Sequence, residues 1–367
     1  NVFSKKIIIC GGGTGGNIFP AGAFDKALKK IDSNIEILFV GAIGRMEMEK
    51  VPAEGYQIIG LPIQGFQRNN LAKNISLPFK IIASITKAIK IIKDFKPNVV
   101  VGVGGYASGP LLYAASLKGI PYVIQEQNSY AGITNKLLGK KAKKICVAFD
   151  NMDSFFPAAN IIKTGNPVRK TVIAIEGKKE EASTFFKLDI NKKTVLVVGG
   201  SLGSRTLNNS MIAGLKQLES NNIQLIWQTG KYYYKNIAEN YADIPKSRGI
   251  RIYEFLNRMD LAFTMADVII SRAGAGTIAE LCLINKPVIL VPSPNVAEDH
   301  QTKNAEALVQ KNAAILITDE HAEADLVDQT LKLLKDQNRM DLLSAEIAKL
   351  GIANSDEQIA LEILKLA

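Results

Sequence analysis

Residues 7–24 read IIICGGGTGGNIFPAGAF and residues 194–208 read TVLVVGGSLGSRTLN. In both, an apolar run passes directly into glycines and then into a helical pattern. Five of the six residues from Gly11 to Gly16 are glycine. Glycine is needed where φ is positive or where backbone must lie close to a ligand. The helix that follows offers unpaired N–H groups and a positive dipole end to an anion. One helix end contributes ~0.3–2 kcal/mol toward an anion, so several together count for more. A third turn of this kind, GVGGYASGP (102–110), follows NVVV.

Outward from these loops the same rhythm repeats. IEILFV (35–40), NVVVGV (98–103), PYVIQE (121–126) and KKICVA (143–148) alternate with helical patterns, including one over about 77–94. IQLIWQTG (223–230), IRIYEF (250–255), DVIISRAG (267–274), PVILVPS (287–293) and AAILIT (313–318) continue the series. Strands alternating with helices predict parallel sheets with crossover connections, hence two doubly wound α/β domains. The join falls near GNPVRK (165–170), ahead of a charged, strand-poor stretch over 176–193. We therefore expect domains over 1–166 and 167–349, with a last helix at about 350–367 packing back onto the first.

The chain has 367 residues, 47% of them hydrophobic, enough for a large core in each half. Lys and Arg exceed Asp and Glu by 45 − 35 = 10, a field that favours anionic partners. Cys10, Cys146 and Cys282 lie singly in apolar runs, which predicts buried thiols rather than a disulfide or zinc site. No apolar run is long enough to cross a membrane, and the first residues lack the pattern of a signal peptide. Basic residues are not interleaved with aromatic ones as on a nucleic-acid platform, so nucleic acid is not expected as a partner.

Gly11 to Gly16 satisfy GxGxxG, the dinucleotide fingerprint. That reading requires an acidic residue at the end of the second strand, where this chain has Gly41-Ala42. No GK[ST] follows any loop, which excludes a P-loop. The run from Asp267 to Leu308 is more informative. VIIS leads into RAGAGT and a helix with Glu280 one turn in, placed either to accept hydrogen bonds from the hydroxyls of a ribose or simply to complement the helix dipole. Asp299, His300, Gln301 and Asn304 are side chains suited to a sugar, or to a polar helix start.

In combination GGGTGG…FPA, GGYASGP, QEQNSYAGITNK, TGNPVR, GGSLGSRTLN, EFLNRM and SRAGAGTIAE…HQTKNA resemble one family over nearly the whole chain. It is the UDP-N-acetylglucosamine–N-acetylmuramyl-(pentapeptide) pyrophosphoryl-undecaprenol N-acetylglucosamine transferases (MurG). The resemblance implies a GT-B fold, two Rossmann-like domains facing across a cleft. It implies UDP-GlcNAc as donor, held mainly by the C-terminal domain, and lipid I, the undecaprenyl-linked acceptor, on the N-terminal one, with GlcNAc passing to the MurNAc 4-hydroxyl with inversion. It implies no cofactor and no metal, and the chain holds no Asp-x-Asp pair. Carried over residue by residue, the donor site comprises Thr14, Gly15, Gly16, Asn128, Arg169, Ser201, Leu256, Ala275, Gly276, Thr277, Ile278, Ala279, Glu280 and Gln301. Arg169 and Ser201 would meet the diphosphate, Leu256 would offer backbone to uracil, and Gln301 would bind the sugar. Tyr106 and Glu126 fall on the acceptor side.

An attacking hydroxyl needs a general base, typically worth about 10²–10⁴-fold. Members of the family have histidine where this chain has Asn17, and an amide accepts no proton at neutral pH. Three readings stand: Glu126 or another carboxylate is the base, Asn17 orients the acceptor, or the chain is a weakly active variant or a plain nucleotide-sugar binder. A GT-B enzyme acting on diacylglycerol is the nearest alternative. A polyprenyl acceptor implies peripheral attachment to the cytoplasmic face of the inner membrane, with other cell-wall synthesis proteins as partners. Ile75, Leu77 and Phe79, flanked by lysines and joined by Lys140 of GKKAKK, suit an anionic membrane surface, while the rest of that helix reads as packed on the sheet.

Overall fold

The computed structural model describes residues 4–12, 18–65, 69–244, 248–294 and 299–367, with side chains from 21 onward in the first helix. Chain contacts divide it into two compact units, Asn1–Pro167 with Ala353–Ala367, and Val168–Ile352.

The first unit is built on seven parallel strands: β1 (Lys6–Gly12), β2 (Glu36–Ala42), β3 (Ile58–Leu61), β4 (Val99–Gly105), β5 (Tyr122–Glu126), β6 (Lys144–Val147) and β7 (Ile161–Lys163). Their spatial order is β3-β2-β1-β4-β5-β6-β7, so the direction of winding reverses between β1 and β4. Crossovers carry α1 (Ile18–Ile31), α2 (Glu47–Ala53), α3 (Leu77–Phe95), α4 (Ser108–Leu117) and α5 (Ile133–Leu138). The period of a strand sends successive side chains to opposite faces. Ile8 and Cys10 join Ala88, Ile91, Leu111 and Leu112 of α3 and α4, whereas Ile7 and Ile9 join Phe24 and Leu28 of α1.

The second unit holds six parallel strands, β8 (Thr194–Val198), β9 (Gln224–Gln228), β10 (Ile250–Tyr253), β11 (Val268–Ser271), β12 (Val288–Leu290) and β13 (Ile315–Leu316), in the order β10-β9-β8-β11-β12-β13. Its helices are α6 (Lys170–Ile173), α7 (Lys179–Phe186), α8 (Arg205–Ser220), α9 (Tyr234–Asn240), α10 (Met259–Met265), α11 (Ala275–Leu281), α12 (His300–Val309), α13 (Asp319–Leu334) and α14 (Gln337–Ala348). Trp227, Val195 and Val197 pack there with Leu207 and Met211 of α8 and Leu326 of α13. The last helix, α15 (Ser355–Leu364), belongs to the first unit, where Ile359, Ala360 and Ile363 complete the core beneath α1.

The first and third glycine turns meet at the β1/β4 reversal. Gly105 has φ +89°, and a Cβ there would overlap the Gly12 carbonyl. The Tyr106 N–H donates to that carbonyl at 3.0 Å. Gly105 is thus required by backbone packed on backbone, and Gly12, at φ +120°, by the Glu47 side chain packed on it, causes additional to any ligand. No helix among the described residues is long and apolar enough to cross a membrane. The thiols of Cys10 and Cys146 are buried, which pushes each up to about 12 and leaves them unreactive.

Candidate functional site

In an open α/β sheet, ligands bind beyond the carboxyl ends of the strands where the winding reverses. In the second unit that point lies between β8 and β11, and a cleft of ≈ 680 Å³ opens there. Its walls are the loop after β8, from Gly199 to Ser204, and the start of α11 after β11. Gly274 caps α11 with extended backbone and contributes no side-chain bond, so the first N–H groups of that helix stay open to an anion. Gly276 is exposed, and Ala275, Thr277 and Ala279 are half-exposed around it, while Ile278 turns its side chain into the core. The amino end of α8 differs: Ser204 Oγ accepts from the Leu207 N–H at 3.2 Å, so one of its orphan donors is already satisfied.

Glu280 is 5% exposed and fully engaged. The Arg169 guanidinium grips it through Nε–Oε2 and Nη2–Oε1, each 2.8 Å, and the Arg169 backbone N–H donates to Oε2 at 3.2 Å. This fork-to-fork pair raises the Arg169 pKa further. The two residues expected to take diphosphate and ribose separately are therefore bound to each other. Gln301 Oε1 accepts from Ala273 N (3.2 Å) and Ser293 N (2.8 Å), joining the loops after β11 and β12. Ser201 is exposed at the rim. Leu256 is buried, and its N–H donates to Gln228 Oε1 at 2.9 Å. Gln228 Nε2 in turn donates to the Gly200 carbonyl at 3.1 Å, tying the Leu256 loop to the glycine loop.

The sequence reading did not find Gln228, nor Arg272, whose Nη1 donates to Asp319 Oδ1 at 2.6 Å and to the Val291 and Pro292 carbonyls. Asp319 Oδ2 also accepts from Thr206 Oγ1, so one carboxylate braces α8, β11 and the Pro292 turn from within the cleft wall.

In the first unit, Glu126 ends β5 and is 3% exposed. Its Oε1 accepts from Gly132 N (2.8 Å) and Asn135 Nδ2 (3.2 Å), and its Oε2 from Asn128 N (3.2 Å). Burial raises its pKa against the pull of those donors. Beside it, Gln125 Nε2 donates to Asn166 Oδ1 and Asn166 Nδ2 to the Gln127 carbonyl, both at 2.9 Å. Tyr106 lies half-buried against Gly65 under the Arg45 guanidinium. Thr14, Gly15, Gly16 and Asn17 lie outside the described residues. At the start of α3, Ile75 and Phe79 are 75% and 73% exposed, Leu77 is half-buried and Lys140 is exposed.

A cleft at the switch point of one sheet, and a second doubly wound unit beside it in the chain, give the two-domain α/β architecture of the GT-B class. Residues 7–147 match the glycosyltransferase family 28 N-terminal domain and residues 194–359 the glycosyltransferase family 28 C-terminal domain. The chain belongs to glycosyltransferase family 28. A UDP-N-acetylglucosamine--N-acetylmuramyl-(pentapeptide) pyrophosphoryl-undecaprenol N-acetylglucosamine transferase of Parabacteroides distasonis is 53% identical, over 98% of each chain. A protein of the same name from Phocaeicola vulgatus is 55% identical over 99% of this chain and 96% of its own. The crystal structure of MurG from Acinetobacter baumannii superposes with a TM-score of 0.82 at 30% identity, covering 98% of this chain and 99% of that one.

Proposed function

We propose that this protein moves GlcNAc from UDP-GlcNAc to the 4-hydroxyl of the MurNAc unit of lipid I, giving lipid II for peptidoglycan. The observation that carries the reading is identity above 50% along the full length to transferases bearing that name. The switch-point cleft of the second unit supports it, since it supplies what a UDP-sugar needs: open N–H groups at α11 for phosphate, and a buried carboxylate for the ribose hydroxyls.

In this reading the ribose hydroxyls donate to Glu280 and take over part of what Arg169 now gives it. The guanidinium then turns to the diphosphate, where it and α11 stabilise charge as UDP leaves. Gln301 sets the two loops around the sugar, and Gln228 holds the Leu256 loop at the base end. The acceptor binds on the first unit near Tyr106, with Asn17 orienting it, while Asn128 reaches the donor. Glu126 acts by holding the loop from Asn128 to Asn135. The enzyme works as a peripheral protein on the cytoplasmic face of the membrane, with the start of α3 in the headgroups.

The test is transfer of labelled GlcNAc from UDP-GlcNAc to lipid I or a short-chain analogue. Product on lipid I is expected. Product on diacylglycerol alone would reassign the acceptor, and binding of UDP-GlcNAc with no product on either would make the protein a nucleotide-sugar binder.

A further inference from the structure

Arg45 sits in the turn between β2 and α2. Its guanidinium lies 5.0 Å from the centre of the Tyr106 ring, and that ring rests so closely on Gly65 that a Cβ there would overlap it. The arginines at 169, 248, 258 and 272 each hold a carboxylate. Half-buried Arg45 has none within 4 Å among the described residues. A guanidinium stays charged at every physiological pH, and withdrawing it partly from water without a counter-charge is unfavourable unless a ligand supplies one.

Its surroundings are fixed rather than floppy. Two residues on, Glu47 is buried and accepts the Ala42 N–H at 2.9 Å, and a Cβ on Gly12 or on Gly41 would overlap its side chain. The Arg45-Met46-Glu47 turn is thereby pinned against the ends of β1 and β2. Tyr106 is tied to the end of β1 through the Gly12 carbonyl, and it stands just before α4, whose cap residue Ala107 contributes no side-chain bond. A guanidinium with no carboxylate partner among the described residues is thus held on an aromatic ring at the reversal point of the first sheet.

We propose that Arg45, steadied on Tyr106, is the residue that grips the diphosphate of the lipid-linked acceptor. The inference rests on the acceptor reading above. The planar fork of two N–H groups matches phosphate oxygens, and a diphosphate is the anion that the proposed acceptor carries next to the sugar that reacts.

The test separates the inference from the reading it rests on. Wild-type turnover on a short-chain lipid I analogue tests the reading. Arg45→Ala is then expected to raise the acceptor KM about tenfold or more, the scale of a lost charge-assisted hydrogen bond. Its KM for UDP-GlcNAc and its thermal midpoint are expected to match wild type, and Arg45→Lys to recover part of the loss. Tyr106→Leu should follow Arg45→Ala, and Tyr106→Phe should not. A stem peptide with amidated carboxylates distinguishes the two anions of the acceptor. If the Arg45→Ala defect persists on it, the diphosphate is the partner; if it vanishes, Arg45 reads the peptide and the proposal is overturned. Titration with geranyl diphosphate needs no turnover. Binding weakened about tenfold in Arg45→Ala supports the proposal, and equal binding by both proteins overturns it.

Discussion

Glu126, a candidate base from its motif, is held by donors of its own loop. A general base must aim a lone pair at the proton it takes, and both oxygens of this carboxylate face N–H groups of its own loop. Burial raises its pKa, so the folded chain holds the proton at a higher pH than the unfolded chain does. The cost of that buried charge grows as pH rises from the ordinary carboxylate range through the raised value, and protonation relieves it below. Glu126→Gln keeps the shape but turns an NH₂ donor toward donors. It is expected to lower stability by about 1–3 kcal/mol and turnover by roughly tenfold or more through a displaced Asn128. The acidic limb of the pH–rate profile should stay where it is, as the proposed positioning role requires. Disappearance of that limb in the variant would make Glu126 the base after all.

At the scale of elements, α15 brings the far end of the chain back to the first unit. One face of the first sheet is covered by α1 and by a helix more than two hundred residues beyond it, and Ile359 and Ile363 are fully buried there. Ile359→Ala is expected to cost about 2–5 kcal/mol by leaving a cavity, read as a lowered denaturation midpoint. Leu361→Ala on the exposed side of the same helix should stay within ~0.5 kcal/mol; equal losses would mean that α15 is not docked. The clearest strands in the sequence are apolar runs buried on both faces, such as VVVGV and TVLVV. The edge strands β3 and β7 were not legible, being four and three residues long with no sustained apolar run of their own. The site divides the same way. Gly274 to Glu280 could be read because a strand end, small residues and a helix start are adjacent in sequence. Gln228 with Leu256, Arg272 with Asp319 and Arg45 with Tyr106 could not, since each pair is separated by tens of residues and meets only where switch-point loops converge.

For the whole molecule, the question is how a chain with a net charge of +10 meets a lipid-borne substrate. Helix α3 is divided along its length: Ser84, Ala88, Ile91 and Ile92 are buried against the sheet, while Ile75, Phe79 and Ile82 near its start stand in solvent beside Lys73. Exposed apolar side chains on a well-packed helix have no use within the fold, and lysines among them fit the boundary between headgroups and acyl chains. Each lysine near an anionic surface contributes about 1 kcal/mol, and that attraction is screened beyond ~10 Å at 0.1 M salt. Flotation with vesicles containing anionic lipid should therefore retain the protein at low salt and release much of it as salt rises. Neutral vesicles should retain less. Ile75→Ser with Phe79→Ser removes the apolar part of the contact, roughly 1.5–3 kcal/mol for each fully inserted side chain, so retention should fall at least tenfold. Turnover on a water-soluble acceptor should be unchanged, because those side chains are exposed and none lines the donor cleft. Full retention by the double variant would mean that the basic surface alone holds the protein to lipid, and the start of α3 would lose its assignment as the inserted element.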